Sequence, residues 1–222
     1  MRLAALAVLF AALLTGGAGA QTVALEQVRS WPVDGPQGLT RDAGGAVVVV
    51  ARKGQRVLAQ AGAGFATRQA LGLTAIDAAL TSDGDLWVTE IANGRVLRYP
   101  AAGGNPEAYW SMPGAHGIAA APDDSVYVTE WNGVSSRVHR IAPDGTRSSW
   151  AVGGYAGDVA VAPDGTVHVA VTGLSLVRRY TAAGRHLGDW TFGSGPLGIT
   201  ISGGVAYTAL PEEGRVVALT LA

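Results

Sequence analysis

Two aspartates, Asp77 and Asp158, stand where sister stretches of the same chain carry Gly38, Gly117 and Gly198. One histidine, His116, directly precedes Gly117. Carboxylates confined together suffer desolvation and mutual repulsion, which a cation or hydrogen-bond donors relieve. Two kinds of chemistry follow. In one, a divalent cation (magnesium or calcium) is held by Asp77 and Asp158 and stabilises a developing enolate, with His116 as general base and Glu130 assisting. In the other, each aspartate only caps nearby backbone N–H groups. Gln37 occupies the same slot as His116, one residue before a repeated glycine, and Trp131 and Asn132 directly follow Glu130. Together Gln37, Asp77, His116, Asp158, Trp131 and Asn132 form the expected ligand-binding set.

Other chemistry finds no support. The chain has no Gly-x-Ser-x-Gly, no His-Glu-x-x-His and no phosphate-binding glycine loop. Its glycines recur at turns. His139 and His168 fall within expected strands, and His186 falls in an outer turn.

The elements that must position these residues announce themselves by repetition. Asp83-Gly84-Asp85-Leu86-Trp87-Val88-Thr89-Glu90 is followed by Asp123-Asp124-Ser125-Val126-Tyr127-Val128-Thr129-Glu130, and a third copy runs from Pro163 to Val171. Gly38, Asp77, Gly117, Asp158 and Gly198 open successive copies at steps of 39, 40, 41 and 40. Short strands and glycine turns at such a period specify a β-propeller. Each copy holds four strands: a small-residue inner strand, a β-branched second strand, an Arg-led third and an outer fourth. The fold expected is therefore all-β, a five-bladed propeller of four-stranded antiparallel blades.

The fifth copy ends after its third strand. Val23 to Trp31 has strand character, and we expect it to supply the missing strand and close the ring. Trp31, Trp110, Trp150 and Trp190 precede their anchors by seven or eight residues, with Ala70 at the matching place in the second copy. We expect them to pack between blades. Glu90 and Glu130 are expected to accept loop N–H bonds and to pair with Arg95 and Arg137. The turn at Ser202-Gly203-Gly204 is shorter than its counterparts and predicts a tighter hairpin.

Composition bounds the partners. Met1-Arg2, the apolar run Leu3 to Leu14 and Ala18-Gly19-Ala20 predict a signal peptide over residues 1–20, cleaved after Ala20. The mature domain, 21–222, is then secreted or periplasmic. No cysteine is present, and a ring of about 200 residues buries enough apolar surface without disulfides. The full chain carries 16 basic and 17 acidic residues, with no basic block suited to nucleic acid. No later stretch is long enough to span a membrane. A monomer is expected.

The motifs Gly117-Ile118-Ala119 through Pro122-Asp123-Asp124 to Val126-Tyr127-Val128-Thr129-Glu130, and Asp83 to Arg98, resemble NHL-type repeats. They resemble still more those of virginiamycin B lyase-like proteins. The resemblance covers the whole mature chain. It implies a fold that hosts enzymes and binders alike. The lyase of that group opens a cyclic ester by elimination, with histidine as base and magnesium, on a ring of more than five blades. Gluconolactonase-type propellers take metal ligands from the residue before the inner-strand glycine. Here those positions hold Gln37, Ile76, His116, Gly157 and Leu197, which is not such a shell. The function expected is thus a binding module for a small molecule or a protein. The alternative is a metal-assisted lyase or lactone hydrolase.

Overall fold

The computed structural model describes residues 21–22 and 30–221. Among these described residues twenty strands form five sheets, each of four antiparallel strands. Blade 1 holds β2 (Pro36–Arg41), β3 (Val47–Ala51), β4 (Arg56–Ala61) and β5 (Gly64–Ala70). Blade 2 holds β6 (Ala75–Leu80), β7 (Leu86–Glu90), β8 (Arg95–Tyr99) and β9 (Ala108–Ser111). Blade 3 holds β10 (Ala115–Ala120), β11 (Val126–Trp131), β12 (Ser136–Ile141) and β13 (Arg147–Ala151). Blade 4 holds β14 (Ala156–Val161), β15 (Val167–Val171), β16 (Leu176–Tyr180) and β17 (His186–Thr191). Blade 5 holds β18 (Ile199–Ser202), β19 (Val205–Leu210) and β20 (Arg215–Thr220). Its fourth strand is β1 (Gln21–Thr22), from the other end of the chain.

The ring closes as the sequence led us to expect. Gln21 pairs with Ala218 and Thr22 with Val217, antiparallel. The pairing falls at Gln21–Thr22, just before the expected strand from Val23 to Trp31; residues 23–29 of that stretch lie outside the described residues, and Ser30 and Trp31 lie on no described strand.

Blades join through apolar faces. Val48, Val50 and Val57 of blade 1 meet Ala78, Val88 and Leu97 of blade 2. Trp87 and Val96 of blade 2 meet Ile118 and Val128 of blade 3. Tyr127 and Val138 of blade 3 meet Val159, Val169 and Leu176 of blade 4. Ala170 and Val177 of blade 4 meet Ile199 and Ala206 of blade 5. Burying these β-branched faces is the main favourable contribution to the ring.

The outer-strand tryptophans divide. Trp110 stacks on Trp87 with centroids 4.7 Å apart. Trp150 packs between Tyr127 and Tyr180, and Trp190 packs on His168. Trp31 departs from the pattern. It lies on no described strand and packs edge-on against Phe65 of β5, and its indole N–H donates to the Ala63 carbonyl at 2.9 Å.

The repeat anchors sit at irregularities. In blades 1 to 4 the pairing of inner and second strands slips beside Gly38, Asp77, Gly117 and Asp158. In blades 2 and 3 a second-strand threonine bridges the gap that the slip opens. Thr129 Oγ1 accepts the Gly117 N–H at 2.9 Å, and Thr89 Oγ1 accepts the Asp77 N–H at 3.2 Å. Thr208 Oγ1 donates to the Gly198 carbonyl at 2.8 Å. The short hairpin of blade 5 has two central glycines, both at positive φ (57° and 75°), as a type I′ turn requires.

Candidate functional site at the central channel

The inner strands line a channel with a cavity of about 830 Å3. Gln37, Asp77, His116 and Asp158 all stand on its wall. The structure therefore gathers four of the six expected ligand-binding residues around one space.

Asp77 and Asp158 hold matching positions in blades 2 and 4. Asp77 Oδ1 accepts the N–H of Ala78 at 2.9 Å, and Oδ2 accepts the N–H of Ile118, in blade 3, at 3.1 Å. Asp158 accepts Val159 N–H at 2.7 Å and, from blade 5, Ile199 N–H at 2.9 Å. Each carboxylate thus links its own inner strand to the next. On the other side each fills space that a glycine leaves open. A Cβ on Gly38 would overlap the Asp77 carboxylate. One on Gly117 would lie 2.6 Å from Asp158 Oδ1. Aspartate at two anchors and glycine at their neighbours are therefore one packing solution. The capping expected as the non-reactive alternative is present at both residues.

The same enclosure shapes their protonation. Burial pushes Asp158 up to about 7, against the pull of its two N–H donors. Asp77 is raised well above the ordinary carboxylate range, first by burial and then by the charge of Asp158. Both effects disfavour two bare negative charges in one channel.

His116 is fixed at the second position of β10. Its Nδ1 lies 2.9 Å from the Gly157 carbonyl. A carbonyl only accepts, so Nδ1 carries the hydrogen, and in the neutral ring Nε2 accepts the Tyr155 O–H at 3.0 Å. The two rings meet edge to face. Thr89 holds the His116 backbone by donating to its carbonyl at 2.7 Å. The Tyr155 phenol is raised above its ordinary value by burial and then by the charge of Asp158. Sequence reasoning missed Tyr155. Its one signal was its place in the link between blades 3 and 4, three residues before Asp158.

The other expected residues stand elsewhere. Trp131 ends β11 and packs edge-on against Tyr155, so it adjoins the His116 pair from outside the channel wall. Asn132 is exposed, and its Oδ1 accepts the N–H groups of Val134 and Ser135 at 3.0 and 2.9 Å, shaping the loop. Glu130 lies off the channel lining and is hydrogen-bonded to His139 Nε2 at 2.7 Å. No hydrogen bond joins it to His116 among the described residues. The expected Glu130–Arg137 pair is replaced, because Arg137 donates to Ser149 Oγ at 2.8 Å. The Glu90–Arg95 pair forms as expected, with Asn93 donating to the other carboxylate oxygen.

Among the described residues no three His, Asp or Glu side chains converge into a metal-ligand cluster. Asp77 and Asp158 offer oxygen donors of the type that magnesium and calcium prefer, but supply only part of the six or more oxygens such ions take.

Comparison with known proteins follows this geometry. No protein-family model matches the chain. A virginiamycin B lyase from Nocardia farcinica (strain IFM 10152) is 33% identical over 131 residues, covering 58% of this chain and 46% of that protein. The chain thus spans about half the length of the curated relative it matches. Among solved structures, virginiamycin B lyase from Staphylococcus aureus superposes with a TM-score of 0.70 at 19% identity. That match covers 87% of this chain and 70% of the other. A chain of a nidogen/laminin complex superposes at 0.78 and 17% identity, covering 88% of this chain and 80% of that one. The chain is a β-propeller homologous in sequence to virginiamycin B lyase, and it shares its fold with proteins of differing role.

Proposed function

We propose that this chain is an exported propeller that binds a small ligand at the mouth of its central channel. The observation that carries the reading is the cavity itself. It is a space of about 830 Å3, within the range of small-molecule sites, with His116, Tyr207, Arg41 and two carboxylates set among apolar and hydroxyl side chains. His116 is held in a single orientation by Gly157 and Tyr155, and Trp131 extends the aromatic surface outward. A rigid ring with a few convergent polar groups suits recognition.

A second reading is a metal-assisted lyase. It is favoured by the 33% identity to virginiamycin B lyase and by the paired carboxylates. A magnesium or calcium ion bound there would supply Lewis-acid stabilisation of an enolate. Asp77 and Asp158 would hold the ion. His116 would present Nε2 as base once the Tyr155 hydroxyl turned away.

Thermal unfolding of residues 21–222 separates the readings. Melting is measured in EDTA, then with added magnesium or calcium. An ion that binds only the native state raises the melting temperature with its concentration. Under the binding-module reading neither ion shifts the transition. A rise that disappears in an Asp77→Asn, Asp158→Asn double variant favours the lyase.

A further inference from the structure

Antiparallel pairing places two kinds of connection at one end of every blade. One is the loop from second to third strand. The other is the link that enters the inner strand from the preceding blade. Backbone hydrogen bonds tie the two together: the Arg52 N–H donates to the Gly35 carbonyl, Trp131 to Gly114 and Gly173 to Tyr155. The loops therefore make one face of the ring, around the end of the channel that holds Gln37 and His116. This face gathers apolar side chains that no blade core uses. Ile91 in the loop of blade 2 is 39% exposed, Val134 of blade 3 is 83% and Leu174 of blade 4 is 45%. Leu197, in the link between blades 4 and 5, is 46% exposed. The other exposed large apolar side chains among the described residues lie on strands: Leu39 on the channel wall, Tyr109 and Leu187 on outer strands.

The matching loops of blades 1 and 5 are charged instead. Blade 1 exposes Arg52 and Lys53, with Arg56 beyond them and Asp34 on the adjoining link. Blade 5 exposes Glu212 and Glu213. Glu213 is held by Ser194 and Arg215. Arg52, Lys53 and Glu212 form no ion pair among the described residues. From blade 1 to blade 5 the loops thus run basic, apolar, apolar, apolar, acidic. That order is its own complement when it is reversed.

We infer that this face is an interface for a second copy of the chain, related by a two-fold axis that passes through blade 3. Two rings set face to face meet in reversed order. With blade 3 on the axis, Arg52 and Lys53 meet the partner subunit's Glu212 and Glu213. Ile91 meets the partner subunit's Leu174, and Val134 meets its own copy. Leu197 faces the link between blades 1 and 2 of the other ring, where Leu73 and Ile76 are half-buried. Any other blade on the axis spoils the match. Blade 1 or blade 5 there opposes like charges, and blade 2 or blade 4 sets charged loops against apolar ones. Covering the apolar loops supplies the attraction, and the charged loops fix the register. The channel mouths meet at the centre of such a pair. The far end of each channel, at Arg41 and Ser202, stays uncovered, so a ligand enters from there. The inference stands apart from the reading of the channel, and it replaces the monomer expected from the sequence.

The test is sedimentation velocity of residues 21–222 over a range of concentrations. A dimer is expected to dominate by about 200 µM. Val134→Arg sets two like charges together on the axis and is expected to weaken association about thirtyfold or more. Lys53→Glu and Glu212→Lys are each expected to weaken it about fivefold or more. The double variant carrying both is expected to return to within about twofold of the parent, because each changed residue again meets its opposite. All three side chains are exposed on loops, so every variant is expected to keep the parent's melting temperature at dilutions where all are monomeric. A chain that is monomeric at about 200 µM overturns the inference. A dimer indifferent to Val134→Arg overturns the choice of face and points to another surface, such as the outer strand of Tyr109. A double variant weaker than either single one overturns the axis through blade 3. A monomer that sediments with phosphatidylcholine vesicles, and no longer does so as Val134→Arg, overturns the second copy in favour of a lipid surface.

Discussion

His168 and Asp158 respond to pH in opposite senses. His168 is 2% exposed, lies on the Trp190 ring, and burial lowers it from 6.5 to about 4. The unfolded chain takes up a proton near pH 6.5 that the native state refuses. The stability tied to neutral His168 is therefore present above pH 6.5 and lost as pH falls toward 4, by up to about 3 kcal/mol. Asp158 is raised from 3.8 to about 7, so the native state keeps a proton that the unfolded chain has lost. Its contribution is present below pH 3.8 and disappears as pH rises through 7. Two results are expected from thermal melts followed by circular dichroism. In His168→Phe the fall in melting temperature between pH 7 and pH 4.5 becomes smaller than in the parent. In Asp158→Asn the melting temperature relative to the parent rises steadily from pH 4 to pH 7.5. Pairing at this scale was only partly legible. Glu90 found Arg95, the nearest following base. Glu130 had Arg137 and His139 on one face of the same strand, since alternate residues share a face. Which one pairs depends on rotamers and on the outer-strand serine that captures Arg137.

The conserved geometry of the blade lies in the slip between its inner and second strands. The recurrent Val-Thr-Glu motif reads in sequence only as strand. Folded, its threonine serves a backbone group that the slipped ladder leaves unpaired. Thr129 is fully buried, and Thr129→Val keeps the shape while leaving the Gly117 N–H without this acceptor. A loss of about 1–3 kcal/mol is expected by urea denaturation, with secondary structure retained. Gly114 shows how tightly the inner and second strands meet within blade 3. It sits at a φ of 84°, and a Cβ there would overlap the Trp131 carbonyl. Gly114→Ala is therefore expected to cost about 3 kcal/mol or more, and to disturb the Trp131 and Tyr155 rings, seen as a change in near-ultraviolet circular dichroism. Strand positions and turns were readable in advance because they depend on local chemistry: alternation, Pro-Asp and Gly-Gly. The slip was not, because it is a relation between two strands.

At the scale of the whole molecule, one ring is held shut by a short pairing between its two ends. Gln21 and Thr22 cover the edge of β20. A chain beginning at residue 30 would leave that edge open. It is expected to melt at lower temperature than residues 21–222 and to self-associate in light scattering, because an open edge strand pairs with other chains. Repeat number, blade order, strand composition and the closing strand were all decided by sequence, since each repeat encodes one sheet whose apolar faces need neighbours. Sequence also marked Asp77, His116 and Asp158 as departures from the repeat. Only the tertiary structure decided what those departures mean. It set each aspartate across two blades, gave His116 the unforeseen Tyr155, and turned Glu130 toward His139. The physical reason is that a repeat fixes contacts within a blade and the type of contact between blades. Channel width, side-chain partners across a join and the fit of the last join to the first depend on how five such units sum around a circle.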